Sequence, residues 1–312
     1  MAGIEVLGDL RHVCHESGGC CQGHVAVLST DEVDRVRELA GTVGVTVPVR
    51  DDALAQVDGV CAFLDASRLC RIHSTFGYDA KPKTCRQYPL VAVRTEAEVR
   101  VGIDPGCLSA WKSWETGPRV APDNLVASRV TAPGAVRAFE SQLLDRLGVQ
   151  GLGVAEALSL LTGELCQEGR LPANFARRWL VHLKERRLDE VFGRAGTAPV
   201  FRDHLVTAAR GWNAYPLQDL SKWPLLDPEQ ERWAIETTLR MVHLRFSAHL
   251  FQPAAVALIT LAGAVAAAWA DPTPDVWGPT FAAWTRAMRS DVLKAQLFPT
   301  AQSLQDIARG GE

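Results

Sequence analysis

Cysteine is the residue in this chain with the most chemistry to offer. Cys14, Cys20 and Cys21 fall within the eight residues CHESGGCC, and Cys61, Cys70, Cys85 and Cys107 follow, so seven of the eight cysteines lie in the first third of 312 residues. Thiolates are soft donors that select zinc, copper(I) or iron–sulfur clusters. Burial alone is a weaker account of seven clustered thiols. They sit among Gly18 and Gly19, Gly59, Gly77, Lys81 and Pro82, and Gly106, residues that let several backbone segments approach one point. Structural disulfides fit poorly, because the number is odd and the neighbours Cys20 and Cys21 are badly placed to bond to each other. Thioredoxin-like chemistry needs a Cys-x-x-Cys pair, and none occurs.

Metal ligation is therefore the reading the thiols support, with Cys14, Cys20, Cys21, Cys61, Cys70, Cys85 and Cys107 as candidate ligands. Zinc commonly takes two Cys-x2-Cys knuckles. The spacings here are 5, 0, 39, 8, 14 and 21 intervening residues, which favours an iron–sulfur cluster, 4Fe–4S ahead of zinc, held by loops converging from across the fold. Adjacent thiols do not readily face one ion, so either Cys20 and Cys21 serve different metals or one of them faces the core. Two four-ligand sites would need an eighth ligand from His15, His24 or His73, with His73 first because it follows Cys70 closely. Glu16, Asp65 and Asp104 suit harder ions and are read as orienting the shell. Arg71, Arg86 and Lys81, beside cysteines, could balance the negative charge of a thiolate-bound centre. Cys166, alone on an apolar helix pattern, reads as a small hydrophobe.

The elements that must position these groups can be traced along the chain. HVAVLS reads as a short strand, and Ser29 with Glu32 forms a capping box opening a helix that Gly41 and Gly44 stop. YPLVAVR (88–94) and VRVGI (99–103) predict a hairpin whose open end brings Cys85 and Cys107 together. ETGPRVAPDNLVAS reads as a connection, with a boundary near residue 120. Beyond it the periodicity predicts helices only, near 132–148, 154–169, 173–192, 199–210, 228–250, 253–270, 275–290 and 300–309. The fold class is α+β, mostly α: residues 1–120 a small irregular metal-binding region with a β-hairpin, residues 121–312 an all-α domain.

Composition narrows the function classes. A formal charge of −3 gives no basic excess to attract nucleic acid or anionic lipid. The uncharged run 253–270 is half alanine and reads as a buried helix, not a membrane span. The N-terminus has Glu5 and Asp9 and no unbroken apolar stretch, so a reducing cytoplasm is the expected compartment. No glycine-rich nucleotide loop stands out: GLGV at 151–154 opens a helix with no strand before it. The tryptophans read as core.

CHESGGCC, then GVCAFLDASRLCRIHSTFGYDAKPKTCRQYPL, then the hairpin and DPGC resemble the YkgJ-type cysteine-cluster proteins, described as zinc- or iron-chelating. Many members have a further cysteine between the first and the paired ones, where this chain has His15 to Gly19. Cys14 five residues before the pair, the late Cys107 and the long helical C-terminus are more similar to the flagellin lysine-N-methylase branch. That resemblance implies an iron–sulfur cluster, S-adenosylmethionine as methyl donor and a protein substrate with an exposed lysine. A non-catalytic metal-stapled interaction module and a redox iron–sulfur protein are the alternatives.

Overall fold

The computed structural model describes residues 3–15, 17–122, 125–132, 134–167, 199–214, 226–246 and 253–289. The helices expected over 173–192 and 300–309 lie outside them, as do Glu16 and the side chain of Cys166.

A four-stranded mixed sheet organises the N-terminal third. Strands β6 (Leu90–Arg94) and β7 (Glu98–Ile103) form the expected antiparallel hairpin, with Leu90 opposite Ile103. Strand β1 (Gly3–Val6) adds in parallel to β7, and β8 (Ala127–Arg129) adds in parallel to β6. Strand β8 lies inside the stretch expected to be only a connection. Two tight ribbons stand apart from this sheet: β2 (Val49–Arg50) with β3 (Ala53–Leu54), and β4 (Gln56–Val57) with β5 (Val60–Cys61). Their turns are Asp51-Asp52 and Asp58-Gly59, all four at positive φ. Such turns match the right-handed twist of two-residue hairpins.

Helix α1 (Thr30–Val43) begins at the expected capping box, with Glu32 accepting from the Ser29 backbone N–H at 3.0 Å, and ends at Gly44 in the left-handed region. HVAVLS does not become a strand. It alternates correctly, burying Ala26 and Leu28 and exposing Val25 and Val27, but its one ladder contact is a single bridge from Val27 to Ala53. Three short helices follow: α2 (Arg71–Phe76), α3 (Lys83–Gln87) and α4 (Ala110–Ser113).

The remaining described elements are α5 (Gly134–Leu147), α6 (Val154–Gln167), α7 (Pro199–Ala214), α8 (Pro228–His243), α9 (Pro253–Ala270) and α10 (Pro274–Ala287). Asp227 caps α8 by accepting from the backbone N–H groups of Glu229 and Gln230. Helix α9 is the uncharged segment, and it packs against α5, α6, α7, α8 and α10. Its alanines allow close approach on every side, which explains a helix apolar all round. Among the described residues no helix is long and apolar enough to cross a membrane.

Sheet and helices share one apolar core, in which Val101, Ile103 and Trp111 join Trp233, Leu261 and Trp277. Trp111 stacks edge-on to Trp277 at 5.0 Å and lies against Gly278, where an added Cβ would come within 2.1 Å of the indole. The tryptophans whose side chains are described are core, as expected. A buried ion network ties the sheet to the helices: Glu140 of α5 pairs with both Arg100 of β7 and Arg245 after α8.

Candidate metal centre

The thiols are delivered by several different local devices. Cys20 and Cys21 lie on a 3-10 turn (Gly19–Cys21) entered through Gly18 at φ 68. An L side chain at Gly18 would be strained and would press on Arg68 at 3.0 Å, so the turn that aims the pair depends on glycine there. Cys61 ends β5, Cys70 caps the N-terminus of α2, Cys85 sits in α3, and Cys107 follows the hairpin in a turn closed by its own N–H on the Asp104 carbonyl at 3.0 Å. The hairpin does return Cys85 and Cys107 to one place.

Cys14, Cys20, Cys21, Cys70, Cys85 and Cys107 line a single cavity of about 720 Å³. Cys61 is buried just outside its wall, in the small apolar cluster that also holds Cys21, Cys70 and Cys85. None of the seven is in a disulfide among the described residues. The sulfurs of Cys20 and Cys21 lie 3.9 Å apart. Among the described residues no three His, Cys, Asp or Glu side chains are already gathered around one point as a single-ion shell. The thiols surround a space.

The electrostatics of that space suit a soft cation. Burial pushes Cys61 up to about 11, Cys85 to about 12 and Cys107 to about 12, and thiolate charge on their neighbours adds to each shift. The hydrogen bond shared with Cys21 holds Cys20 down to about 6 despite burial, with help from Lys81 and Arg286. Cys21 keeps the proton of that bond and is pushed far up, with burial and the charges of Cys20, Cys61 and Cys70 adding to it. One negative charge is tolerated here, and several are not. A bound thiophilic cation would remove that repulsion, so the donor set fits zinc or an iron–sulfur cluster.

The other candidates separate clearly. His73 lines the cavity and stands edge-on to Tyr78 at 5.9 Å. His24 is not on the wall: burial lowers its pKa to about 4, and its Nε2 has no partner among the described residues. His15 donates its backbone N–H to Ser109 Oγ, and His12, not anticipated, reaches the wall instead. Lys81 and Arg86 do line the cavity. Arg71 does not: it points away to the C-terminal end of α1, donating to the Val43 carbonyl at 3.4 Å. Asp65 accepts from Leu69 N–H and shapes the loop before Cys70.

Asp104 has a larger role than shell orientation. Its buried carboxylate takes a two-point bond from Arg289, at 2.8 and 2.5 Å, and a longer one from Arg286 of α10. It also accepts from Gly106 N–H at 2.7 Å. Burial alone would raise its pKa, but the two guanidiniums hold it down to about 2. The turn carrying Cys107 is thereby clamped to the last described helix. Two arginines three residues apart on an otherwise apolar segment, TFAAWTRAMRS, were the available sequence signal that a buried acid awaited them.

Residues 13–107 match the family model CxxCxxCC, described as a putative zinc- or iron-chelating domain. The match supports the cysteine-cluster family over that N-terminal region. No curated protein and no solved structure matches the chain. Laid on this sequence, the pattern in the family's name falls on Cys14, Ser17, Cys20 and Cys21. The second position of the cysteine-cluster motif is thus a serine here, and Ser17 lines the cavity.

Proposed function

We propose that residues 1–120 hold a metal centre, an iron–sulfur cluster or zinc, and that this centre completes the folding of the cysteine region and fixes it on the helical body formed by residues 121–312. Thiol convergence carries the reading: six cysteines from five separate segments line one cavity, and a seventh packs behind it. So many thiolates so close together need a cation to ionise at neutral pH, and the family description points the same way.

Catalysis is the finer question. A volume of about 720 Å³ exceeds what a bare metal ion needs and lies in the range of small-molecule sites. That supports an enzyme, and the branch resemblance supports lysine methylation with S-adenosylmethionine. The wall argues against placing that reaction inside this cavity. Its described lining has Arg68, Lys81, Lys83 and Arg86 and no carboxylate, so the fixed charges there repel a sulfonium and a lysine ammonium. The metal centre is our conclusion, and a methyltransferase would require another surface for its amine.

Anaerobic purification with metal analysis and a visible spectrum tests the reading. Iron with sulfide and a brown chromophore supports the cluster, and a colourless zinc protein supports the alternative. Substoichiometric metal after anaerobic reconstitution with either would overturn the proposal.

A further inference from the structure

The seven thiols are not equivalent in their surroundings. Cys21, Cys61, Cys70 and Cys85 all belong to the apolar cluster under α1 and α2, with Phe63 and Ile72 at its centre. Backbone bonds knit this group together: Gln22 bridges Val60, Gly23 N–H donates to the Gly59 carbonyl at 2.7 Å, and Leu64 bridges Cys70. Cys107 belongs instead to the main core. The segment of Cys14 is stitched to the turn of Cys107 by His15 N–H on Ser109 Oγ at 3.2 Å and by the Ser113 hydroxyl with His12 Nδ1 at 3.3 Å. Gly19, next to Cys20, lies so close to Leu108 that an added Cβ would come within 3.1 Å.

Resting on the metal-binding reading, we infer that the thiols form two unequal sets: Cys21, Cys61, Cys70 and Cys85 close one four-thiolate site, while Cys14, Cys20 and Cys107 form a second whose remaining position opens on the cavity toward Ser17. The first set lies in an apolar setting with a full complement of ligands, the pattern of a structural site. The second has three thiolates, and a serine stands where the family pattern has a fourth. A three-ligand metal keeps a position for water or an outside ligand. The wall carries Arg68, Lys81, Lys83 and Arg86 and no carboxylate in its described lining, Arg86 facing Asp79 at 3.9 Å outside it, so the ligand admitted is a small anion.

Cobalt(II), a spectroscopic stand-in for zinc, tests this on the full-length chain stripped of metal under anaerobic conditions, with azide as the anionic probe. The wild-type protein is expected to bind about two cobalt ions, and azide to shift part of the visible spectrum. Cys14→Ser, at an exposed position, should bind about one ion and lose the azide response. Cys70→Ser should lose the other ion and keep that response. Ser17→Cys should keep both ions and become insensitive to azide. Identical metal loss and identical spectra in Cys14→Ser and Cys70→Ser would show one shared centre and overturn the inference, leaving metal binding intact. An azide response undiminished in Ser17→Cys would overturn the open position. Failure of the wild-type chain to bind cobalt and also to take up iron with sulfide on anaerobic reconstitution would instead sink the metal-binding reading itself.

Discussion

Asp104→Asn removes one charge from the clamp while keeping the shape of the side chain, and the structure fixes what that should cost. The carboxylate is 3% exposed and its partners Arg286 and Arg289 are 11% and 17% exposed. Breaking a buried pair by removing one partner costs about 3–5 kcal/mol, and the partial exposure of both arginines places this case near the lower end, about 3 kcal/mol. Linkage gives an independent figure. A carboxyl moved from 3.8 to about 2 contributes about 2.5 kcal/mol. The sign follows from the depressed value: this stability is fully present above the unfolded pKa near 3.8 and is lost as pH falls through about 2. Urea unfolding of metal-loaded wild-type and Asp104→Asn proteins at pH 6 should therefore differ by about 2–3 kcal/mol. Repeating the comparison at falling pH should shrink the difference below pH 4. A gap under about 0.5 kcal/mol at pH 6 would show that the clamp carries no net energy, as many ion pairs do not. A gap that persists undiminished to pH 2 would assign the loss to something other than the charge.

Metal uptake should release protons, because Cys61, Cys85 and Cys107 hold theirs to about 11, 12 and 12 without a metal; a weakly buffered titration with a pH indicator measures this, and uptake without acidification would contradict the thiolate assignment. The same competition requires apparent affinity to fall as pH is lowered, which a chelator competition series at several pH values reads directly. Gly278→Ala drives a methyl into the rigid indole of Trp111 and should cost about 2 kcal/mol, seen as a lower Tm, whereas Gly41→Ala, on a face of α1 with nothing within 4 Å, should raise stability by about 0.5–1 kcal/mol.

Local signals were legible and distant ones were not. The Ser29–Glu32 box, the hairpin and the register of α9 each rest on residues a few positions apart, where propensity and periodicity act. The parallel additions of β1 to β7 and of β8 to β6 involve runs of three or four residues with partners tens of positions away, and nothing local in GIEV or ASR announces them. The Asp58-Gly59 turn is by itself a hairpin signal, but the strands it joins are only two residues long, too short for alternation to show in the sequence. At the site, clustering of cysteines was plain, while their division depends on which apolar cluster covers each one. HVAVLS shows the converse failure: the alternation was right, but a strand needs a neighbour along its length, and here only Val27 finds one.

The clamp at Asp104 also imposes an order on synthesis. Asp104 and Arg286 are 182 residues apart, so at ribosomal speed roughly 10–40 s separate the emergence of the Cys107 turn from that of the helix that fastens it. All seven thiols precede that interval in the chain, and the turn of Cys107 is not yet fastened by Arg286. Metal delivered then meets an unlatched pocket, and metal arriving after the chain is complete must enter through the cavity mouth. The last described helix thus fastens the Cys107 turn only after the cysteine region has already been exposed to metal.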